Sequence, residues 1–108
     1  RRMRQPVPPQ LSEIFFGGYH FDLSRDELRR GEEFIRLTTA EVSLLKALAR
    51  QPGVPVSRDD LAAENPIIGN ARTIDVQMTR LRRKIEANPK FPRYLQTVRG
   101  TGYVLMPD

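Results

Sequence analysis

Arg72-Thr73-Ile74-Asp75-Val76-Gln77-Met78-Thr79-Arg80-Leu81-Arg82-Arg83-Lys84-Ile85, residues 72–85, is the stretch that decides the fold. At about 100° per residue, Ile74, Met78, Leu81 and Ile85 fall in one narrow stripe, the mark of a helix lying on an apolar core. The pattern predicts a helix over about residues 72–87, roughly 24 Å long, stopped by Asn88-Pro89. Directly opposite the stripe lie Arg72, Val76, Thr79, Arg80 and Arg83, with Gln77 and Lys84 on one flank. Arg82 sits nearer the apolar side, where packing or pairing within the protein suits it.

Charge is segregated in the same way. The chain carries a net +5. Residues 72–99 hold eight basic side chains (Arg72, Arg80, Arg82, Arg83, Lys84, Lys90, Arg93, Arg99) against Asp75 and Glu86, whereas residues 5–71 are net acidic by −3. A domain that keeps its positive charge in one stretch presents one positive face, and the usual partner of such a face is a polyanion. On charge alone, a solvated face that serves solubility explains the pattern equally well.

Working outward, the segment before this helix contains two helix starts of one design. In Leu37-Thr38-Thr39-Ala40-Glu41-Val42, Thr38 and Glu41 have the spacing of a capping box, with Leu37 placed to staple onto Val42. That helix runs through Leu44, Leu45 and Leu48 until Pro52-Gly53 stops it. Val56-Ser57-Arg58-Asp59-Asp60-Leu61 repeats the device and predicts a short helix from Ser57 to just before Asn65-Pro66. Residues 65–71 (NPIIGNA) read as a loop. Upstream, residues 13–37 alternate short apolar runs with turn signals, which predicts a four-stranded antiparallel meander with Tyr19, Phe21 and Leu23 on one face. Downstream, Tyr94 to Val98 and Tyr103 to Met106 are β-prone runs joined by Arg99-Gly100-Thr101-Gly102, a hairpin with an arginine at its tip. Residues 1–12, arginine-rich and then proline-rich, read as an interdomain linker, so a further domain is expected before residue 13. Residues 13–108 form one domain, as 108 residues allow.

The order of strands, helix, short helix, loop, long basic helix and hairpin gives an α+β fold, a helix-turn-helix with an enlarged turn and a hairpin wing. The residues quoted, ending in Pro92-Arg93-Tyr94-Leu95-Gln96-Thr97-Val98-Arg99-Gly100-Thr101-Gly102-Tyr103, resemble the C-terminal winged-helix effector domain of OmpR/PhoB-type response regulators over roughly residues 13–106. The QTVRGTGY segment is the most specific part of that likeness, which lies nearer the OmpR branch. The resemblance implies a winged helix that regulates transcription in the cytoplasm, downstream of a phosphorylated receiver domain. It further implies binding to double-stranded DNA, with two copies arranged head to tail on direct repeats, and a contact with RNA polymerase.

The family's recognition helix maps onto residues 72–87 and enters the major groove. There Arg80 and Arg83 suit guanine edges or phosphates, with both roles open. Val76 suits a thymine methyl, the alternative being a stray exposed apolar residue. Gln77 and Thr79 offer hydrogen bonds to bases or phosphates. Arg72 resembles the family's phosphate-contacting arginine and stands with Thr73 at a helix start, where an anion is favoured. Asp75 reads as orienting one of the neighbouring arginines. Arg99 resembles the wing arginine that enters the minor groove, where a narrow A·T-rich tract attracts a guanidinium. Thr97 and Thr101 are expected phosphate contacts, and Ser57, Arg58 and Lys84 are further candidates for the DNA backbone. Asn65, Ile67, Ile68, Gly69 and Asn70 form the loop that resembles the family's polymerase contact, although Ile67 and Ile68 fit the core equally well. About six phosphate contacts give an expected salt slope near −5.

Other chemistry has little support. The chain has no cysteine, which removes disulfides and thiolate metal sites and fits a reducing cytosol without requiring one. His20 lies where strand alternation turns it outward, and no nucleophile is paired with it. Asp59 and Asp60 are explained as first-turn residues of a helix. No catalytic, metal or cofactor site is expected, and no apolar run is long enough to span a membrane. The surviving rival is a winged helix that binds protein or RNA, which would more often expose apolar anchors on the third helix.

Overall fold

Gly17 and Gly18, both at positive φ (58° and 82°), reverse the chain between its first two strands with the backbone of a two-residue type I′ hairpin. The computed structural model describes residues 13–66 and 69–107. Around this turn it forms an antiparallel meander of β1 (Glu13–Phe16), β2 (Tyr19–Asp22), β3 (Glu27–Arg30) and β4 (Glu33–Ile35), neighbours in that order. Strand alternation buries Ile14, Phe16, Tyr19, Phe21 and Leu28, and Leu23 is buried just beyond β2. On the other face Phe15, His20, Arg29 and Phe34 form one cross-strand row. His20 faces outward there, as alternation predicts, stacked on Phe15 at 4.6 Å and bonded to Glu13. The expected linker, residues 1–12, lies outside the described residues.

Both helix starts form as their spacing predicts. Thr38 Oγ1 accepts from the Glu41 N–H at 3.2 Å, while the Thr38 N–H donates to Glu41 Oε1 at 2.9 Å, opening α1 (Thr39–Ala49). Leu44, Leu45 and Leu48 of α1 are fully buried. Ser57 accepts from the Asp60 N–H at 3.0 Å and opens α2 (Arg58–Glu64). Ahead of α2, the two residues of β5 (Val56–Ser57) pair with a strand near the C-terminal end, an element the sequence pattern does not predict.

The basic helix, α3 (Ala71–Ile85), buries Ile74, Met78, Leu81 and Ile85 almost completely, which confirms the stripe. Its span corrects the expected 72–87 at both ends. Asn70 caps it by accepting from the Thr73 N–H at 3.0 Å, so the helix starts at Ala71. At the other end Glu86 leaves helical geometry (φ −93°, ψ 137°). Its buried carboxylate accepts from the N–H groups of Arg93, Tyr94 and Leu95 at 2.7, 2.9 and 2.7 Å. That turn hands the chain to β6 (Leu95–Val98) and β7 (Gly102–Leu105), the predicted hairpin, in a sheet of order β5-β7-β6. The Thr101 N–H donates to the Val98 carbonyl at 2.9 Å, and Gly100 takes the positive φ (79°) that the third position of a type II turn requires.

One lysine joins the N-terminal region to the helices. Lys84 Nζ donates to the Arg36 carbonyl at 2.9 Å and to Glu41 Oε1 at 2.5 Å, and the Lys84 carbonyl accepts from Tyr19 Oη at 3.1 Å. Burial by itself would raise the Glu41 carboxyl, but the Lys84 ammonium and the Thr38 N–H outweigh it and hold the group below its ordinary value. A carboxyl whose folded value is lowered adds stability above the ordinary value of about 4.5, and that stability is lost as pH falls through the lowered one. Melting temperatures of the parent and E41Q should therefore differ clearly at pH about 6 and converge as pH falls well below the ordinary carboxyl range. A gap independent of pH would exclude this linkage.

Candidate nucleic-acid interface

Anchoring α3 by its apolar stripe leaves the opposite side in water. Arg72, Val76, Thr79, Arg80 and Arg83 are exposed, and Gln77 is half-buried on the flank. Val76 is 46% exposed, an apolar side chain in the middle of a cationic face. The guanidinium groups of Arg72, Arg80 and Arg83, and that of Arg99 in the exposed hairpin turn, engage no hydrogen bond or ion pair among the described residues. These four cations, unpartnered among the described residues, stand on α3 and the adjoining hairpin and make a surface suited to a polyanion.

The hairpin is tied to α3 by side chains. Arg82 donates from Nε to the Leu95 carbonyl and from Nη2 to Thr97 Oγ1, both at 2.9 Å, with its guanidinium 5.4 Å from the Tyr103 ring. The expected internal role of Arg82 is what the structure shows. Tyr103 Oη donates to Asp75 Oδ1 at 2.6 Å, and Asp75 also faces Arg58 Nε at 3.4 Å. Burial first, and then the Asp75 hydrogen bond, pushes the Tyr103 phenol up to about 12, so it remains a donor throughout the neutral range. A cleft of about 340 Å³ opens between the start of α2 and the wing, with Ser57, Arg58, Asp59, Thr97, Gly100 and Thr101 in its lining. It brings the expected phosphate contacts from two elements together.

Several expected site residues are placed differently. Lys84 is turned inward to Arg36 and Glu41, so it is not available to the DNA backbone. Its flank position permitted either direction, and the buried carboxylate decided it. Asn65 is buried rather than displayed in a contact loop. Its Nδ2 donates to the Leu61 carbonyl at 2.6 Å, and its Oδ1 accepts from Ser43 Oγ. Asn70 is occupied as the α3 cap and Gly69 is exposed, while Ile67 and Ile68 lie outside the described residues. Thr73 donates from both N and Oγ1 to Asn70. Thr79 donates its hydroxyl to the Asp75 carbonyl at 3.0 Å, which leaves its lone pairs and methyl facing out. Tyr103 is the residue that sequence reasoning missed. A tyrosine beside Gly102 at the start of a β-prone run was its only signal.

A helix anchored below and cationic above, braced against a hairpin, has a counterpart among known proteins. The family described as "Transcriptional regulatory protein, C terminal" matches residues 31–105. The chain belongs to this family. Its members are regulators of transcription, not enzymes, and the solved relatives identify the OmpR/PhoB-type winged helix. The DNA-binding domain of RstA from Klebsiella pneumoniae, solved in complex with the RstA box, is 32% identical with a TM-score of 0.78. That match covers 91% of this chain and 100% of the RstA domain. The response regulator DrrB of Thermotoga maritima, an OmpR/PhoB homologue, is 28% identical with a TM-score of 0.78, over 88% of this chain and 44% of DrrB. PetR of Rhodobacter capsulatus is 40% identical over 100% of this chain, which spans 49% of PetR. This member of the family thus corresponds to about half the length of its curated relatives. No helix among its described residues is long and apolar enough to cross a membrane.

Proposed function

We propose that this effector domain binds a short duplex site by laying α3 in the major groove and reaching the adjacent minor groove with Arg99. The supporting observation is the outer face of α3, where Arg72, Arg80 and Arg83 stand unpartnered around an exposed Val76. In this reading Arg80, Arg83, Val76, Gln77 and Thr79 face base edges or nearby phosphates. Arg72 serves a phosphate at the helix start, where the expected Thr73 has given both its donors to Asn70, and Ser57, Arg58, Thr97 and Thr101 hold another in the cleft beside the wing. The same face disfavours the protein-binding rival, because Val76 is the only large apolar side chain exposed on α3 among the described residues.

Residues 1–12 then link the domain to a receiver domain in a two-component phosphorelay protein of the cytoplasm. Two copies lie head to tail on direct repeats about one helical turn apart. RNA polymerase meets the loop between α2 and α3, where Gly69 is exposed. Asn65 and Asn70 shape that loop instead of touching the polymerase, because their side chains are engaged within the domain.

Selection of bound duplexes from a random pool, followed by titration at several salt concentrations, tests the proposal. Lys84 is engaged internally, which leaves about five of the six expected phosphate contacts, so the salt slope should be near −4.5, slightly shallower than −5. Arg80→Ala should cost about 1–3 kcal/mol on the selected site and less on unrelated duplexes if it reads a base. Equal losses on all duplexes would reassign it to phosphate. Arg99→Ala should weaken sites with A·T-rich flanks most. A flat salt dependence with no preferred duplex would overturn the DNA-binding reading.

A further inference from the structure

We infer that Asp75 and Tyr103 are positioning residues that fix the angle between α3 and the wing, so that both reach their grooves at once. This inference rests on the DNA-binding reading above. Asp75 is the one acidic residue of α3, and its immediate neighbour Val76 lies on the exposed face. A carboxylate so close to a phosphate backbone opposes binding through its charge, so its presence there needs another explanation. Its two partners supply it. Tyr103 of β7 donates to it at 2.6 Å and Arg58 of α2 lies 3.4 Å away, so Asp75 is where α2, α3 and the wing meet.

Seven residues on, the same side of the helix carries Arg82, which grips β6 through the Leu95 carbonyl and Thr97 Oγ1. Asp75 and Arg82 thus hold the hairpin at two points about 10 Å apart along α3. The β5–β7 ladder secures the base of the hairpin, and these two ties to α3 set how the hairpin leans against that helix. Tyr103 belongs to both points, since its hydroxyl meets Asp75 and its ring lies against the Arg82 guanidinium at 5.4 Å. Arg99, at the far end of the hairpin, inherits that inclination. A group that must enter a groove needs its supporting shell locked, and a displacement of about 1 Å at the site is enough to weaken it.

The test uses Tyr103→Phe, which removes only the hydroxyl, and Asp75→Ala, which removes the acceptor, against the duplex selected by the parent protein. Both variants should bind about tenfold more weakly while their circular dichroism spectra match that of the parent. The sign of the Asp75→Ala effect is diagnostic. Removing a negative charge that merely faced the phosphates would tighten binding, and tighter binding overturns the inference. A second readout moves the A·T tract by one or two base pairs relative to the major-groove half of the site. The parent should lose affinity steeply and Tyr103→Phe much less, because a loosened wing tolerates either spacing. Equal losses overturn the inference even if Asp75→Ala fails to fold. A parent protein that binds no duplex in a salt-dependent way would remove the DNA-binding reading itself. Parent and variants that bind alike would remove only the positioning role.

Discussion

Gly102→Ala should lower the melting temperature by about 12 °C or more, although it adds a single methyl group. Gly102 lies in β7, paired with Ser57 on one side and Val98 on the other. A Cβ at that position would stand 2.1 Å from the Val56 carbonyl oxygen, 2.8 Å from Ser57 Cα and 2.9 Å from the Val56 carbonyl carbon. All three are backbone atoms of β5, so no side chain can rotate away. Relief needs β5 and β7 to separate by about 1 Å, which breaks the short ladder and disturbs the Ser57 cap of α2 on one side and Tyr103 on the other. Overpacking of this kind costs about 3 kcal/mol when the surroundings cannot yield. For a domain of this size each kcal/mol corresponds to roughly 4 °C. A variant melting within about 2 °C of the parent would mean that the strands part easily, and the geometric argument would fail.

Glu86→Ala is expected to cost about 3–5 kcal/mol in urea unfolding, more than removing an ordinary surface acid. The buried Glu86 carboxylate is the acceptor for three consecutive backbone N–H groups, those of Arg93, Tyr94 and Leu95. Truncation leaves three donors to find water in a partly buried turn, and an orphaned donor costs about 1–3 kcal/mol. E86Q keeps one acceptor oxygen but points an amide N–H₂ at the remaining donor, so it should fall between parent and alanine. A loss below about 1 kcal/mol for Glu86→Ala would show that solvent or a rearranged turn replaces the carboxylate without difficulty. Because the turn sets where β6 begins, the alanine variant should also expose Tyr94, which packs against Phe16 at 5.6 Å.

These two residues show where sequence reading stops. Periodicity and caps are local, so the α3 stripe, the Thr38 and Ser57 starts and the hairpin at Arg99 could be placed from neighbouring residues alone. The Asp75–Tyr103 bond, the Lys84–Glu41 pair and the β5–β7 ladder join residues 28, 43 and about 46 positions apart, and nothing in one segment announces the other. Lys84 illustrates the difficulty. A helical wheel puts it on a flank, from which a long side chain can turn to water or to the core, and only the distant Glu41 settles the direction. Glu86 left a fainter trace: an acid at the C-terminal end of a helix opposes the macrodipole, so its presence there asks for a local reason. Of the candidate interface, the cationic helix face and the wing arginine were legible. The internal engagement of Asn65, Asn70 and Lys84 was not.

The inward ties of α3 divide the labour along a single helix. Ile74, Met78, Leu81 and Ile85 grip the core, and Asp75, Arg82 and Lys84 grip the neighbouring elements. Val76, Arg80 and Arg83 are exposed, and their side chains make no hydrogen bond or ion pair among the described residues. Under the proposed docking of α3, exchanging these outer side chains should change the preferred duplex while leaving the melting temperature close to that of the parent.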